Sequence, residues 1–197
     1  MDALFAIAGR DFVISVSDTS NARSIVRMKK NYDKTYKLSS HTLMSACGES
    51  GDIANFSEYI QGNVRLYSVR NSQDLSPSET ANFIRNELAS SLRSRNPYNV
   101  NMLVAGVDRN TGESSLYRID YLAAMSKVPF AAHGYCAHFV YSVMDHEYKE
   151  DITLEQGFAI VKKCLTVLKE RFIVDFPGFT IKVISSSGIR EYSTNDI

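Results

Sequence analysis

The sequence has no excess of either charge: 22 Lys and Arg stand against 22 Asp and Glu over 197 residues. Without a net field, neither a nucleic acid nor an anionic membrane surface is indicated as a partner. Long apolar runs are missing too. No stretch nears the length that spans a bilayer, and the start lacks the basic residues and long apolar segment of a signal peptide, so a soluble intracellular protein is expected. Cysteine is scarce. Cys47, Cys136 and Cys164 are odd in number, widely spaced and without a CxxC pair, which argues against a disulfide framework and a thiolate zinc site and leaves reduced, buried thiols. Repeats, low-complexity segments and linkers are likewise absent. With 44% hydrophobic residues, the chain can bury one good core, and a single domain over 1–197 is expected, with no propeptide.

What is present alternates blocks of strand and blocks of helix. Ala3 to Ala8 and Phe12 to Val16 are apolar runs joined by Gly9-Arg10-Asp11, a hairpin pattern. Lys34 to Leu38 and Thr42 to Cys47 read as a second strand pair. From Ile53 the apolar positions Phe56, Ile60, Val64 and Tyr67 fall three or four apart, an amphipathic helix that Asp52 can cap. Ser76-Pro77-Ser78-Glu79 announces the next helix with an N-cap, a Pro at the first helical position and a capping box. Its stripe is Ala81, Ile84, Leu88 and Leu92, and Arg93 and Arg95 would face the negative end of its dipole.

The second half repeats the alternation. Val100 to Val107 is an almost continuous apolar run, the mark of a strand covered on both faces, and Asp108 to Gly112 turns it into Ser115 to Asp120. Tyr121 to Phe130 adds a further strand and an approach loop. Ala137, Val140, Tyr141 and Met144 have helical spacing, and Thr153-Leu154-Glu155-Gln156 is a second capping box, opening a helix striped by Val161, Cys164, Leu165, Leu168 and Phe172. Phe179 to Ser185 and Ile189 to Tyr192 close the chain as a hairpin. The class is α+β: a four-layer α-β-β-α sandwich, with two antiparallel sheets flanked by helix pairs.

The stretches KTYKLSSHTLMSACGESGD, SRNPYNVNMLVAGVD, LYRIDYLAAMSKVPFAAHGY and YSVMDHEYKEDITLEQG carry a resemblance to the beta-type subunits of the 20S proteasome, over essentially the whole chain. The resemblance implies the same sandwich, the fold of the N-terminal-nucleophile hydrolases. It also implies a place in an inner seven-membered ring of a 28-subunit barrel that degrades unfolded and ubiquitin-tagged proteins. Beta type-3 and beta type-5 subunits would lie beside it, alpha-ring subunits above, and the opposing beta ring across the midplane, in cytoplasm and nucleus.

Active members of that family attack peptides with an N-terminal Thr, whose own amine moves the proton while a nearby Lys lowers the hydroxyl pKa, an Asp orients that Lys and a backbone N-H steadies the oxyanion. Carried over residue by residue, the nucleophile falls on Met1, with only Asp2 and Ala3 following. None has a hydroxyl or thiol. The first later candidate, Thr19, comes after both opening strands. The family Asp falls on Ser17, although Asp18 is adjacent and a one-residue shift would restore a carboxylate while turning it to the other face of the strand. The Lys falls on Lys34, the oxyanion Gly on Gly48, both after an insertion near Asn21, and the supporting Ser on Cys136. The resemblance therefore implies a non-catalytic, structural member.

Blander roles are open to each of these residues. Lys34 reads as a solvated or structurally paired lysine and Gly48 as a turn residue. Cys136 has His133 and His138 nearby, but not in a recognisable Cys-His arrangement, and these two with His146 lack the spacing of a zinc site. No metal or cofactor is expected. Two other readings stand beside the structural subunit: a self-standing N-terminal-nucleophile peptidase, and a sandwich-fold scaffold domain outside the proteasome.

Overall fold

The computed structural model describes residues 2–23 and 26–194. In chain order the elements are β1 (Ala3–Ala8), β2 (Phe12–Asp18), β3 (Asn21–Arg23), β4 (Val26–Lys29), β5 (Thr35–Lys37), β6 (Thr42–Gly48), α1 (Ser50–Asn71) and α2 (Pro77–Ser91). They continue with β7 (Val100–Val107), β8 (Ser114–Ile119), β9 (Met125–Lys127), β10 (Phe130–Gly134), α3 (Ala137–Glu147), α4 (Leu154–Arg171), β11 (Phe179–Ser185) and β12 (Gly188–Tyr192). One sheet runs β10-β1-β2-β11-β12 and the other β5-β6-β7-β8-β9, while β3 and β4 form a separate ribbon. The pairings are antiparallel, as in the expected sandwich.

Strand periodicity divides the core into three layers. Along β1, Ala3, Phe5 and Ile7 pack toward α3 and α4, whereas Leu4, Ala6 and Ala8 pack toward the second sheet. A strand covered on both faces needs apolar residues at every position, which is why β1 reads as a run and not as an alternation. On the far side, Met44, Ala46, Met102 and Val104 meet Ile53, Phe56, Ile60, Ala81, Ile84 and Leu88 of α1 and α2. Gly106 lies on this helix-facing side of β7. A Cβ there would come within 2.6 Å of Pro77 Cγ, so the missing side chain lets the first turn of α2 sit directly on the strand.

Local chemistry fixes two helix starts as the sequence predicts. Ser76 accepts from Glu79 N-H and Thr153 from Gln156 N-H, each in a complete capping box. Other expectations differ. Asp52 does not cap α1; the helix begins earlier, and Asp52 sits in its first turn, accepting from Asn99 N-H at 2.9 Å to tie α1 to the approach to β7. α2 ends at Ser91, so Arg93 and Arg95 lie beyond its last turn. The ribbon β3–β4 and the separation of β9 from β10 were not predicted. Of the closing segment, Arg190 to Tyr192 belongs to β12, and residues 195–197 lie outside the described ones.

Few polar contacts cross the apolar seam between the sheets. Ser15 and Ser45 hydroxyls meet at 2.8 Å, and His133 Nε2-H donates to Met102 carbonyl at 3.2 Å. Burial, with the nearby positive charge of Arg118, lowers the His133 pKa to about 4, so the ring is neutral in the fold. Because the folded value lies below the ordinary 6.5, His133 contributes stability that is complete above pH 6.5 and is lost as pH falls toward 4. Urea unfolding at pH 7 and pH 4.5 should therefore show a loss in the parent chain exceeding that of His133→Gln by roughly 2–3 kcal/mol.

Candidate functional site

β2 runs two residues past Val16 because β11 pairs along its whole length, Thr180 opposite Ser17 and Phe179 opposite Asp18. That extension brings a carboxylate to the end of the first sheet, next to the start of β1. Asp18 Oδ1 accepts from the Ala3 backbone N-H at 2.7 Å, continuing the Leu4–Ser17 pairing by one step with a side chain in place of a carbonyl. Its other oxygen accepts from Ser20 N-H at 3.0 Å and from the Ser20 hydroxyl. Asp18 is fully buried, and every one of these donors offsets the cost of burying its charge.

The cation comes from the other sheet. Lys34 precedes β5, and its carbonyl accepts from Ala46 N-H at 3.1 Å, which fixes it against β6. From there the side chain crosses to the first sheet, where Nζ lies 2.7 Å from Asp18 Oδ1 and 2.5 Å from Asp2 Oδ1. Burial acts to lower the Lys34 pKa, but the charges of Asp18 and Asp2 outweigh it and hold the group above its ordinary value. Lys34 is thus an ammonium at neutral pH, held between two carboxylates, buried and paired, not a solvated lysine. It can donate hydrogen bonds and stabilise negative charge; it cannot take up a proton.

Beside this triad opens a cavity of about 490 Å³, lined among others by Asp2, Asn21, Tyr32, Lys34, Gly48 and Glu49. Gly48 ends β6 with φ +145°, and a Cβ on it would come within 2.2 Å of Asn99 carbonyl, so the turn requires glycine on both conformational and steric grounds. The turn delivers the chain to Glu49 and α1 on one wall of the cavity.

The sequence-derived candidates divide accordingly. Lys34 and Gly48 share the cavity. Ser17 does not reach Lys34: its hydroxyl is buried with no hydrogen-bond partner, and the residue beside Lys34 is Asp18. The reason is the strand's period, since Ser17 follows Ser15 toward the seam whereas the terminal Asp18 is free to turn over the strand end. Met1 lies outside the described residues, and the side chain that meets Lys34 from the start of the chain is Asp2. A single one-residue offset running from Asp2 through Asp18, Lys34 and Gly48 accounts for all four, in place of an insertion near Asn21. That constant offset is the signal that would have found Asp2 and Asp18 in the sequence.

Cys136 lies close enough for the charges of Asp18 and Asp2 to act on it, but it is fully buried, and burial first, with those charges, pushes its thiol up to about 12. Its Sγ contacts the carbonyls of His133, at 3.3 Å, and Leu4. The His133 ring points instead into the seam, so the two do not form a nucleophile and base. Among the described residues, no cluster of His, Cys, Asp and Glu has the arrangement of a metal site, and no helix is long and apolar enough to cross a membrane.

A family model described as "Proteasome subunit" matches residues 2–184. Among the relatives that match nearly the full chain are three proteasome beta subunits. "Probable proteasome subunit beta type-4" of Neurospora crassa is 47% identical, over 100% of this chain and 97% of the relative. "Proteasome subunit beta type-4" of Saccharomyces cerevisiae is 44% identical over 97% and 96%. "Proteasome subunit beta type-2-B" of Arabidopsis thaliana is 44% identical over 98% and 96%.

Removing the cation from the triad leaves Asp18 buried without its counter-charge. Lys34→Met should destabilise the chain by about 3–5 kcal/mol in equilibrium unfolding at pH 7. The raised Lys34 pKa sets the alkaline limb as well: its contribution is complete below pH 10.5 and is lost as pH rises through the folded value, a loss absent from Lys34→Met.

Proposed function

The chain belongs to the proteasome subunit family, and on that premise we propose that it works there as a non-catalytic structural beta subunit. Its assembly with other proteasome subunits follows from membership, and the geometry of the cleft supports the non-catalytic reading. The observation that carries this is the side chain beside Lys34. Peptide cleavage by an N-terminal nucleophile needs a hydroxyl or thiol whose proton the terminal amine can remove. Asp2 offers Lys34 a carboxylate, which carries no such proton and is a poor nucleophile toward an amide. The two carboxylates also take up the ammonium that would otherwise lower a neighbouring hydroxyl pKa.

Relatives named beta type-4 are among those most similar to the chain, at 47% and 44% identity, and support the reading as a subunit of the beta type-4 kind, with a relative named beta type-2-B at 44%. In this proposal the domain contributes a wall and two flanks to an inner beta ring of the 28-subunit particle. Beta type-3 and beta type-5 subunits are its proposed neighbours, with alpha-ring subunits above, the opposing beta ring across the midplane, and the particle in cytoplasm and nucleus. No cofactor enters this role.

Native mass spectrometry of the protein purified from its source tests the reading, with the intact mass of the released subunit taken from the same sample. The expected result is a particle of some twenty-eight subunits, this chain with a mass that begins at Met1, and no acylated form of it after exposure to peptide substrate. A chain free of any such particle would point to an independent scaffold. A truncated chain that begins at a Ser or Thr and hydrolyses fluorogenic peptides alone would point to a self-standing peptidase.

A further inference from the structure

A cleft that has lost its chemistry can do so by collapse or by occupation. Here the described residues show no collapse. Lys34 and Asp18 are in contact, their side chains 5% and 0% exposed, while Asp2, at 29%, lines the open cavity together with Lys34. The backbone of the neighbouring residue is pinned independently, since Ala3 N-H donates to the same Asp18 oxygen that Lys34 meets. Residue 2 is therefore held against the ammonium by its neighbours and not by its own side chain alone.

We propose that this cleft is silenced at one position: Asp2 is a resident carboxylate standing where an attacking oxygen would stand, and the frame of Lys34, Asp18 and the Gly48 turn is competent around it. The proposal rests on the reading of the natural chain as non-catalytic. With Asp2 removed, Lys34 and Asp18 remain a neutral pair, and one ammonium N-H is released to a new acceptor. A hydroxyl at residue 2 would accept it. The α-amine of the same residue, with a reference pKa of about 8, would then serve as the base.

A peptide vinyl sulfone reports this step by mass. The hydroxyl oxygen adds to the alkene carbon β to the sulfone, the π pair takes the proton that the amine drew from the hydroxyl, and nothing leaves, so the subunit gains the whole mass of the probe. Asp2→Thr and Asp2→Ser chains are expressed behind a cleavable leader that makes residue 2 the N-terminus. They are assembled into the particle, treated with the probe, and this subunit is separated and weighed.

The expected result is one probe per variant subunit, none on the natural chain, and capture roughly a hundredfold slower when Lys34→Ala is added. Incorporated variants that stay unlabelled overturn the proposal, because the silence then lies elsewhere, Cys136 included. If neither variant enters the particle, the frame is not independent of the Asp2 carboxylate, and the proposal also fails. Labelling of the natural chain would instead overturn the non-catalytic reading.

Discussion

The contact on which this end of the molecule depends is the Lys34 ammonium, held between Asp2 and Asp18. It joins three separate pieces of chain: the segment entering β1, the end of β2, and the segment entering β5 on the opposite sheet. A buried ion pair is poor evidence of net stability, because desolvating the charges offsets much of their attraction. Its effect here is positional. Asp18 accepts from Ala3 and Ser20 backbone groups as well as from Lys34, so the same carboxylate that balances the charge also sets the register of β1 and the exit of β2. Hydrogen bonds are directional in a way that the apolar layers are not, and two sheets packed through Leu4, Val13, Leu43 and Leu103 could slide without some such fixture.

Other polar contacts across the seam act in the same sense at other places. Ser15 meets Ser45 and His133 meets Met102, and at one margin Lys182 of β11 reaches Asp33 and Thr35 ahead of and within β5. Burial raises the Asp33 pKa, but the Lys182 and Thr35 hydrogen bonds outweigh it and hold the carboxyl below its ordinary value, so this clamp stays charged at neutral pH. Between these points the seam is lined mainly by apolar side chains, Leu4, Val13, Leu43 and Leu103 among them. The sheets are thus located by a few polar contacts and held by area.

How far the sequence discloses this depends on how local the controlling interaction is. The helices headed by Ser76 and Thr153 are legible because each capping box closes within four residues. The covered strands β1 and β7 are legible because burial on both faces leaves an unbroken apolar run. The ribbon of β3 and β4 is not, since it covers no core: Val26 and Met28 are exposed, and nothing in their spacing announces a pairing. Asp52 looks like a cap until Asn99, forty-seven positions away, takes its carboxylate. Ser17 and Asp18 mark the limit most clearly. Strand period alone says which of them faces the seam, but not that the last residue of the strand can turn its carboxylate over the end to meet Ala3 and Lys34.

That limit also explains how a reaction centre can lose its reaction and keep its shape. Lys34 is buried and charged, so the fold requires acceptors around it; what kind of oxygen they carry is immaterial to packing. Chemistry is more demanding. It requires an oxygen with a proton that the neighbouring amine can remove and a lone pair that an amide carbon will accept. A carboxylate carries no such proton, and its lone pair is a poor nucleophile toward an amide. Asp2 therefore meets the Lys34 ammonium more strongly than a neutral hydroxyl would, through a charge-assisted contact of 2.5 Å, and in the proposed reading the same atom is what ends catalysis. In the proposed ring, whose members must share one geometry to seat their neighbours, a carboxylate at this position would remove an activity while leaving the surrounding frame in place.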